Sequence, residues 1–499
     1  MRQWLRFYIG AFFISPKPIL PSTPQKKQQK DNTMNKRTDN LYLSLEGDRY
    51  TPFSLAKKLG AKAILESASF SQGSARYSIL MLEEAFHVIE DEQGVAIVSE
   101  GQRKPCDSRN ILEALEKIAA ENEKPPQIPL PAAGIGFLSY EFCARCDTIH
   151  LAKQKDGLQI PESEFVVGHI YIVFDHFTDT LHLFGLNYDE HEIDLSEAFA
   201  RIQKKLSNLD FSYLEASTEK YPYRIITDLQ KSHDEYVHCV KELKKRIVAG
   251  DIIQAVPSRR LQIESQMPAL ETYRRIRSLN PSPYLLYIDF GDYQLIGSSP
   301  ESLVRSHGGK SSIRPIAGTC RRGKNEAEDE QLKKKLANDP KERAEHLMLV
   351  DLARNDLGRV SKPGSVHLTR NMECELFSHV IHIVSEVEGE NRSDIKPIQV
   401  LQSVFPAGTV SGAPKISAIE IVSSLESEKR NFYAGAVGYL EANGDLDFCI
   451  GIRCTLKKGN IYTLQAGSGI VYASDPEREW EETNEKLGAL LQVLETKEK

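Results

Sequence analysis

Residues 341–358 read KERAEHLMLVDLARNDLG, and the rest of the chain is read outward from them. Pro340 suits a first helical position and Gly358 the residue just past a last turn, so the segment has a start and a stop. Glu342 and Glu345, three apart, share one face, while Leu349 and Leu352 continue the adjoining stripe that packs inward. This helix points acid at something. A second helix behaves alike near the C-terminus: Ser474-Asp475-Pro476-Glu477 has the form of a capping box, Glu479 and Glu482 follow, and Leu487, Leu490 and Leu491 turn inward. Two acid pairs far apart in sequence can supply an oxygen-only site for a hard divalent cation. Magnesium suits it better than zinc, because no Cys/His cluster accompanies the acids. Lys486 lies on the face of Glu479 and Glu482.

Composition removes several classes of function. A chain of 499 residues with 40% hydrophobic content can fill more than one core, and a formal charge of -7 offers no global basic balance for nucleic acid. Eight cysteines without a framework of spacings describe free thiols in a reducing compartment. Cys143-Ala-Arg-Cys146 lacks the second pair that zinc requires. The opening MRQWLRFYIGAFFIS is too short in its apolar part to span a bilayer and is followed by no small-x-small cleavage site. Residues 1–39 are therefore expected to be a disordered extension or, with Met34 opening a conventional N-terminus, an upstream start. A cytoplasmic protein without membrane contact is expected.

Residues 40–190 carry short alternating strands, such as Tyr77–Leu82, Val95–Val98 and His169–Phe174, and read as a β-rich N-terminal domain of regulatory type. Within it Ala63-Ile-Leu-Glu66-Ser67 sets an acid and a hydroxyl among apolar residues. A polar connecting segment, 191–225, leads to a second domain over 226–497. There, Asp234–Ala249 has helical periodicity closed by Gly250, and Gln254 interrupts an apolar run, so it is expected to face something polar. His382 sits on an alternating strand opposite Ile381 and Ile383. Asp447–Cys454 reads as one alternating strand with Arg453 over a floor of Cys449 and Gly451, a pocket for a carboxylate. Phe405–Lys415 and Gln465–Val471 are glycine-rich places where bare backbone can approach an anion. Magnesium-holding acids, an arginine, a lysine, glycine amides and one histidine ask for a small polyanionic substrate, with His382 as proton carrier.

The motifs PIAGT (315–319), EHLMLVDLARND (345–356), FPAGTVSGAPK (405–415) and the C-terminal GSGIV with ExxET resemble the chorismate-utilising enzymes, and within them the anthranilate synthase component I branch. The resemblance runs from about Asn40 to the end. It implies an α/β (α+β) fold, a large antiparallel β-sheet sandwich with outer helices plus the smaller N-terminal domain. It further implies Mg2+ on Glu345, Glu482 and Glu479, and catalytic roles for His382, Thr319 and Glu342. Gly318, Thr409, Tyr433, Arg453, Gly467, Gly469 and Lys486 would contact the substrate. The implied reaction adds ammonia at C2 of chorismate as the C4 hydroxyl leaves, then eliminates pyruvate to give anthranilate. Relatives that use water carry a lysine base where this chain has Gln254, and aminodeoxychorismate synthases typically carry a nucleophilic lysine in place of Ala317. An aminodeoxychorismate synthase component I and a catalytically dead tryptophan sensor are the alternatives. Tryptophan is implied as feedback inhibitor at Glu66, Ser67, Pro283, Tyr284 and Leu285. No cysteine lies in a Gly-x-Cys-x-Gly context, so glutamine-derived ammonia would come from an amidotransferase subunit, component II, in a heterotetramer. Cys320 departs from the pattern, since relatives usually have arginine there.

Overall fold

The segment Ser163–Asp175, SEFVVGHIYIVFD, is a strand buried at all 13 positions, because both of its faces are covered. In this computed structural model residues 40–67, 76–123, 128–208, 210, 220–376 and 380–494 are described. The expected extension 1–39 lies outside them, as does much of the second half of the connecting segment.

Ser163–Asp175 pairs antiparallel along its length with Tyr77–Asp91, and two layers of strands grow from opposite ends of this pair. From one end, Ala63–Glu66 leads through Tyr284–Asp289, Tyr293–Ser299, Cys454–Lys458 and Ile461–Gly467 to Ser258–Ser265. From the other, Ile135–Leu138 leads through Ala436–Leu440, Leu446–Ile450, Ser302–His307 and Lys310–Ile313 to Val380–Glu390, which Ile316–Arg321 and His367–Leu376 flank. All these pairings are antiparallel. The layers face each other across an apolar core in which Phe137 meets Phe290 edge to face at 5.6 Å and Phe165 meets Phe448 at 6.2 Å. Helices Pro52–Leu59, Leu195–Ser207, Ala269–Leu279 and Pro476–Leu494 cover the outside of the first layer. Helix Pro340–Gly358 packs on the second through Val350, Ala353 and Leu357. The large antiparallel sheet with outer helices is the architecture expected, and segment 40–190 contributes strands to both layers.

Local signals mostly act as read. Gly250 closes helix Leu229–Ala249 in the left-handed conformation, and Pro340 opens its helix behind Asp339, whose carboxylate accepts from the amides of Lys341 and Glu342. Two details differ. Gly358 is the last helical residue rather than the one beyond it. At the C-terminal helix it is Asp475 that accepts from the Arg478 amide, while the Ser474 hydroxyl accepts from Val471 in the preceding turn.

The chain changes layers twice at the same level. Pro300-Glu301 joins Tyr293–Ser299 to Ser302–His307, and Gly451–Arg453 joins Leu446–Ile450 to Cys454–Lys458. The expected continuous strand over 447–454 is therefore broken. Its first part pairs in the second layer and its last in the first, and Arg453 turns between them at φ 54°. The crossings are stitched together: the Ile450 amide donates to the Glu301 carbonyl (3.0 Å), the Ser298 amide to the Arg453 carbonyl (3.1 Å) and the Ser299 hydroxyl to the Ile450 carbonyl (2.7 Å).

One buried cation ties this region to its surroundings. Arg430, 1% exposed, donates through Nε and Nη2 to both oxygens of Glu426 at 2.8 Å, and it donates to the carbonyls of Val410 (3.1 Å) and Val256 (2.6 Å). Its guanidinium lies 4.4 Å from the centre of the Tyr140 ring. Replacing it with methionine would strand Glu426 as an unpaired buried charge. Arg430→Met is expected to lower the urea midpoint by the equivalent of about 3 kcal/mol.

Candidate active site

A cavity of about 210 Å³ opens at the level of the two crossings. Of the residues expected to bind substrate or catalyse, Thr319, His382, Thr409, Tyr433, Arg453, Gly467, Gly469 and Lys486 all line it. They come from both layers, the loop 408–410 and the C-terminal helix.

His382 and Thr319 are directly opposed on neighbouring strands, and the strand Ile316–Arg321 shifts register between Ala317 and Thr319. Gly318 makes that bulge possible with φ +74°. The bulge turns the Gly318 carbonyl toward His382, whose Nδ1 donates to it at 3.3 Å and lies 2.9 Å from the Thr319 hydroxyl. The proton thus belongs on Nδ1 and the lone pair on Nε2. Burial, helped by the charge of Arg453, lowers the His382 pKa from its ordinary 6.5, so the ring is a neutral base at neutral pH. Cys320 pairs with Ile381 on the opposite face and packs with Leu332, Met372 and Cys374. The departure from arginine there leaves the cavity wall itself untouched.

The opposite wall is cationic. Arg453 Nη1 donates to the Lys486 carbonyl at 2.8 Å, and Lys486 Nζ donates to the Gly467 carbonyl at 2.8 Å while pairing with Glu482 at 2.8 Å. Burial lowers the Arg453 pKa from 12.5, with Tyr433 and Glu482 opposing the fall. Tyr433 stays protonated, since burial pushes its hydroxyl up to about 12. Gly467 admits no side chain: a β-carbon would stand 2.4 Å from the Pro257 carbonyl oxygen. This wall offers a planar fork, an ammonium and backbone to a carboxylated ligand.

The acids expected to hold a metal lie beside the cavity rather than among its lining residues. Burial raises the Glu345 pKa, and the charges of Glu342, Glu482 and Glu479 push it further, so the two helices do present their acids to one another. A β-carbon built on Gly318 would lie 3.3 Å from Glu342 Oε2, which places Glu342 behind the bulge. The donors are all hard oxygens, and a dication would relieve their repulsion. Among the described residues no three such groups converge closely enough to hold an ion alone. The fit to a hard dication rests on the all-oxygen donors of the two helices, which would leave room for water and ligand oxygens.

Sequence reasoning passed over Glu301, which it took only as part of a polar turn. This carboxyl is 8% exposed, lines the cavity and is pushed up to about 7, burial outweighing Thr409 and Lys486, which favour its anion. Among the described residues the Thr409 hydroxyl is itself buried without a partner of full hydrogen-bond geometry. The signal available was an acid directly after a strand-ending Ser-Ser-Pro.

The five residues assigned to tryptophan lie apart from this cavity lining. Glu66 faces Leu285 across paired strands. Its oxygens accept from Tyr273 (2.5 Å) and Arg277 (2.8 and 3.1 Å), so it is not a lone acid. Among the described residues the Ser67 hydroxyl is buried without a partner, and Tyr284 donates to Asp447 at 2.9 Å. Pro283 precedes Tyr284 in the turn. Cys143 and Cys146 are held as inert thiols, burial raising both far above the usual thiol range. Among the described residues no helix is long and apolar enough to cross a membrane.

A family model described as chorismate binding enzyme matches residues 67–492. Anthranilate synthase component 1 of Spirochaeta aurantia is 49% identical over 452 residues, 90% of this chain and 94% of that one. The protein of the same name from Aquifex aeolicus is 37% identical over 92% of this chain and 95% of its own length. Among solved structures, anthranilate synthase component I from Streptococcus pneumoniae is 35% identical with a TM-score of 0.74, covering 83% of this chain and 92% of that one. The menaquinone-specific isochorismate synthase from Escherichia coli, at 17% identity and TM-score 0.68 over 91% and 95% of the two chains, shares the fold.

The raised Glu301 has a sign that can be measured. Between its ordinary 4.5 and about 7 the native state keeps a proton that the unfolded chain has released, so this group makes stability fall as pH rises through that window. Glu301→Gln should flatten that part of the profile by up to about 3 kcal/mol, read from urea midpoints on either side of it.

Proposed function

Since the chain belongs to the chorismate-binding enzymes, we propose that it is the large subunit of an anthranilate synthase, converting chorismate and ammonia to anthranilate and pyruvate. One observation carries the reading: a neutral histidine, a protonated carboxyl and an Arg–Lys wall meet on one cavity beside four facing carboxylates. Arg453, Lys486 and the backbone at Gly467 and Gly469 would take the substrate carboxylates, and Tyr433 and Thr409 would donate hydrogen bonds to them. Mg2+ would be held by Glu345 and Glu482, with Glu479 and Glu342 beside them, and would supply Lewis-acid polarisation of a substrate carboxylate.

Glu301 is protonated in a useful fraction near neutral pH and gives its proton to the C4 hydroxyl, which leaves as water while ammonia adds at C2. The surplus proton on nitrogen then returns to the Glu301 carboxylate or to solvent. His382 next removes the hydrogen at C2. Those electrons close the aromatic ring as the C3–O bond breaks, and the departing enolate takes up a proton to become pyruvate. Thr319 and the Gly318 carbonyl hold the imidazole in register for that transfer.

The name component 1 on its relatives supports a second, glutamine-hydrolysing component as the ammonia source, and a cytoplasmic heterotetramer is the assembly we expect. Tryptophan as feedback inhibitor is part of the same proposal. The Ser67 hydroxyl, buried and without a partner among the described residues, lies beside Glu66 and Leu285 and supports a small polar ligand there.

Purified chain with chorismate, Mg2+ and ammonium at mildly alkaline pH should develop anthranilate fluorescence that a chelator abolishes. Chorismate consumed without fluorescence would instead mark an aminodeoxychorismate synthase, and no consumption a sensor. His382→Ala should lower kcat at least about a hundredfold, with chorismate still bound. Tryptophan should inhibit the wild-type chain, and Ser67→Ala should raise the concentration required about tenfold, measured by titration of the initial rate.

A further inference from the structure

A cavity of about 280 Å³ that shares no lining residue with the first lies at the end of the central strand pair marked by Asp91 and Ser163, against the loop that carries Lys429 and Asn431. Its lining holds the carboxylates of Asp91, Glu92, Glu141, Asp156 and Glu162 and, among the described residues, one ammonium, that of Lys429. Arginines outside the lining take up two of these acids. Arg103 donates to both oxygens of Asp91 at 2.5 and 2.8 Å, and Arg145 Nε donates to Glu162 at 2.8 Å. The charges of Arg260 and Arg430 also reach Glu141, but each of these arginines is itself paired, with Glu428 at 2.7 Å and with Glu426 at 2.8 Å. Glu92, Glu141 and Asp156 thus remain against Lys429, and the cavity carries a surplus of negative charge.

Acids alone would be an ordinary solvated rim. What marks this one is Ser139, which shares the lining and is 1% exposed. Its hydroxyl is buried and, among the described residues, has no hydrogen-bond partner. The backbone of the same residue is fully engaged, the amide donating to the Glu162 carbonyl at 2.9 Å and the carbonyl accepting from the Phe142 amide at 3.2 Å. A buried polar group is ordinarily paired, so this hydroxyl calls for a ligand that supplies a donor.

We propose that this cavity binds a linear aliphatic polyamine, with its ammonium groups on Glu92, Asp156 and Glu141 and one of their N–H groups donating to the Ser139 hydroxyl. Among the described residues no three acids converge closely enough to hold a metal ion, so the positive charge that fits is one spread along a chain. An occupant with a carboxylate of its own would meet the surplus of acids. Ammonium groups only donate and carboxylates only accept, while Ile160 on the lining gives the methylenes an apolar contact. The site is tied to the anchor of the first cavity through Glu141, whose oxygens accept from the amides of Arg430 at 2.7 Å and Asn431 at 3.1 Å. Burial pushes this carboxyl up to about 7 against those hydrogen bonds. An ammonium beside Glu141 keeps it ionised and tightens its hold on the segment that carries Arg430.

The test is a calorimetric titration of the full chain with spermidine, at physiological salt and with Mg2+ saturating so that the acids of the two long helices do not compete. One saturable site is expected, with a melting temperature that rises on binding. Ser139→Ala removes the hydroxyl and leaves every charge, and should weaken spermidine about fivefold. Glu92→Gln combined with Asp156→Asn, which keeps an acceptor oxygen at 156 for the Asn431 amide, should weaken it about tenfold and decides the matter if Ser139→Ala fails to fold. n-Butylamine, with one charge, should bind at least about tenfold more weakly than spermidine. A wild-type chain that gives no saturable binding would overturn the inference and leave the cavity a solvated rim. An affinity that neither variant changes would overturn it as well, since the amine would then sit on other acids of the surface. So would n-butylamine binding as tightly as spermidine, the mark of a site for a single ammonium.

Discussion

The buried pair of Arg430 and Glu426 is the constraint on which the site's walls depend. Both carbonyls that the guanidinium holds, Val256 and Val410, belong to residues that line the 210 Å³ cavity. Tyr433, three residues on, is turned into the same space, its amide donating to the Arg430 carbonyl at 3.1 Å. The Arg430 and Asn431 amides are in turn held by Glu141, from the far side of the sequence. Burying a full charge is costly, and here each guanidinium nitrogen finds an acceptor, so the cost is met by geometry. What results is a fixed spacing between three backbone segments, two of which, 253–256 and 411–413, also pair directly.

Around that anchor the two layers provide the rest by exchanging strands. A single strand cannot serve two sheets without leaving one, and the break exposes side chains and backbone that a regular ladder would occupy. Two breaks side by side make a cavity whose polar groups belong to the interior of the protein. Glu301 owes its proton, and Arg453 its backbone turn, to the same pair of crossings.

Much of this was legible in the residues. The acid pairs on two helices, the histidine facing away from Ile381 and Ile383, and the glycines beside Tyr433 and Gln254 each follow from local periodicity or local space. What was not legible depends on partners distant in sequence. Alternation along 447–454 looks like one strand because nothing in the pattern says that its neighbours change from Ala436–Leu440 to Tyr293–Ser299. Glu66 looks like a free acid until Arg277, 211 residues away, arrives from a helix to hold it. Glu301 looks like surface turn because only tertiary burial gives it its proton. The cap at Asp475 rather than Ser474 is a subtler case, since both residues are good caps and the Val471 amide claims one of them.

The strand Ser163–Asp175, buried on both sides, has a bearing on how this enzyme can lose and recover its shape. With its partner Tyr77–Asp91 it joins the two layers, so neither can come apart without disturbing the other. The cavity, being made of crossings between them, lacks the separate low-energy opening by which many binding sites breathe. The cavity therefore belongs to the most cooperative part of the molecule, and whatever mobility a ligand needs for entry must come from the loops and helices at its rim.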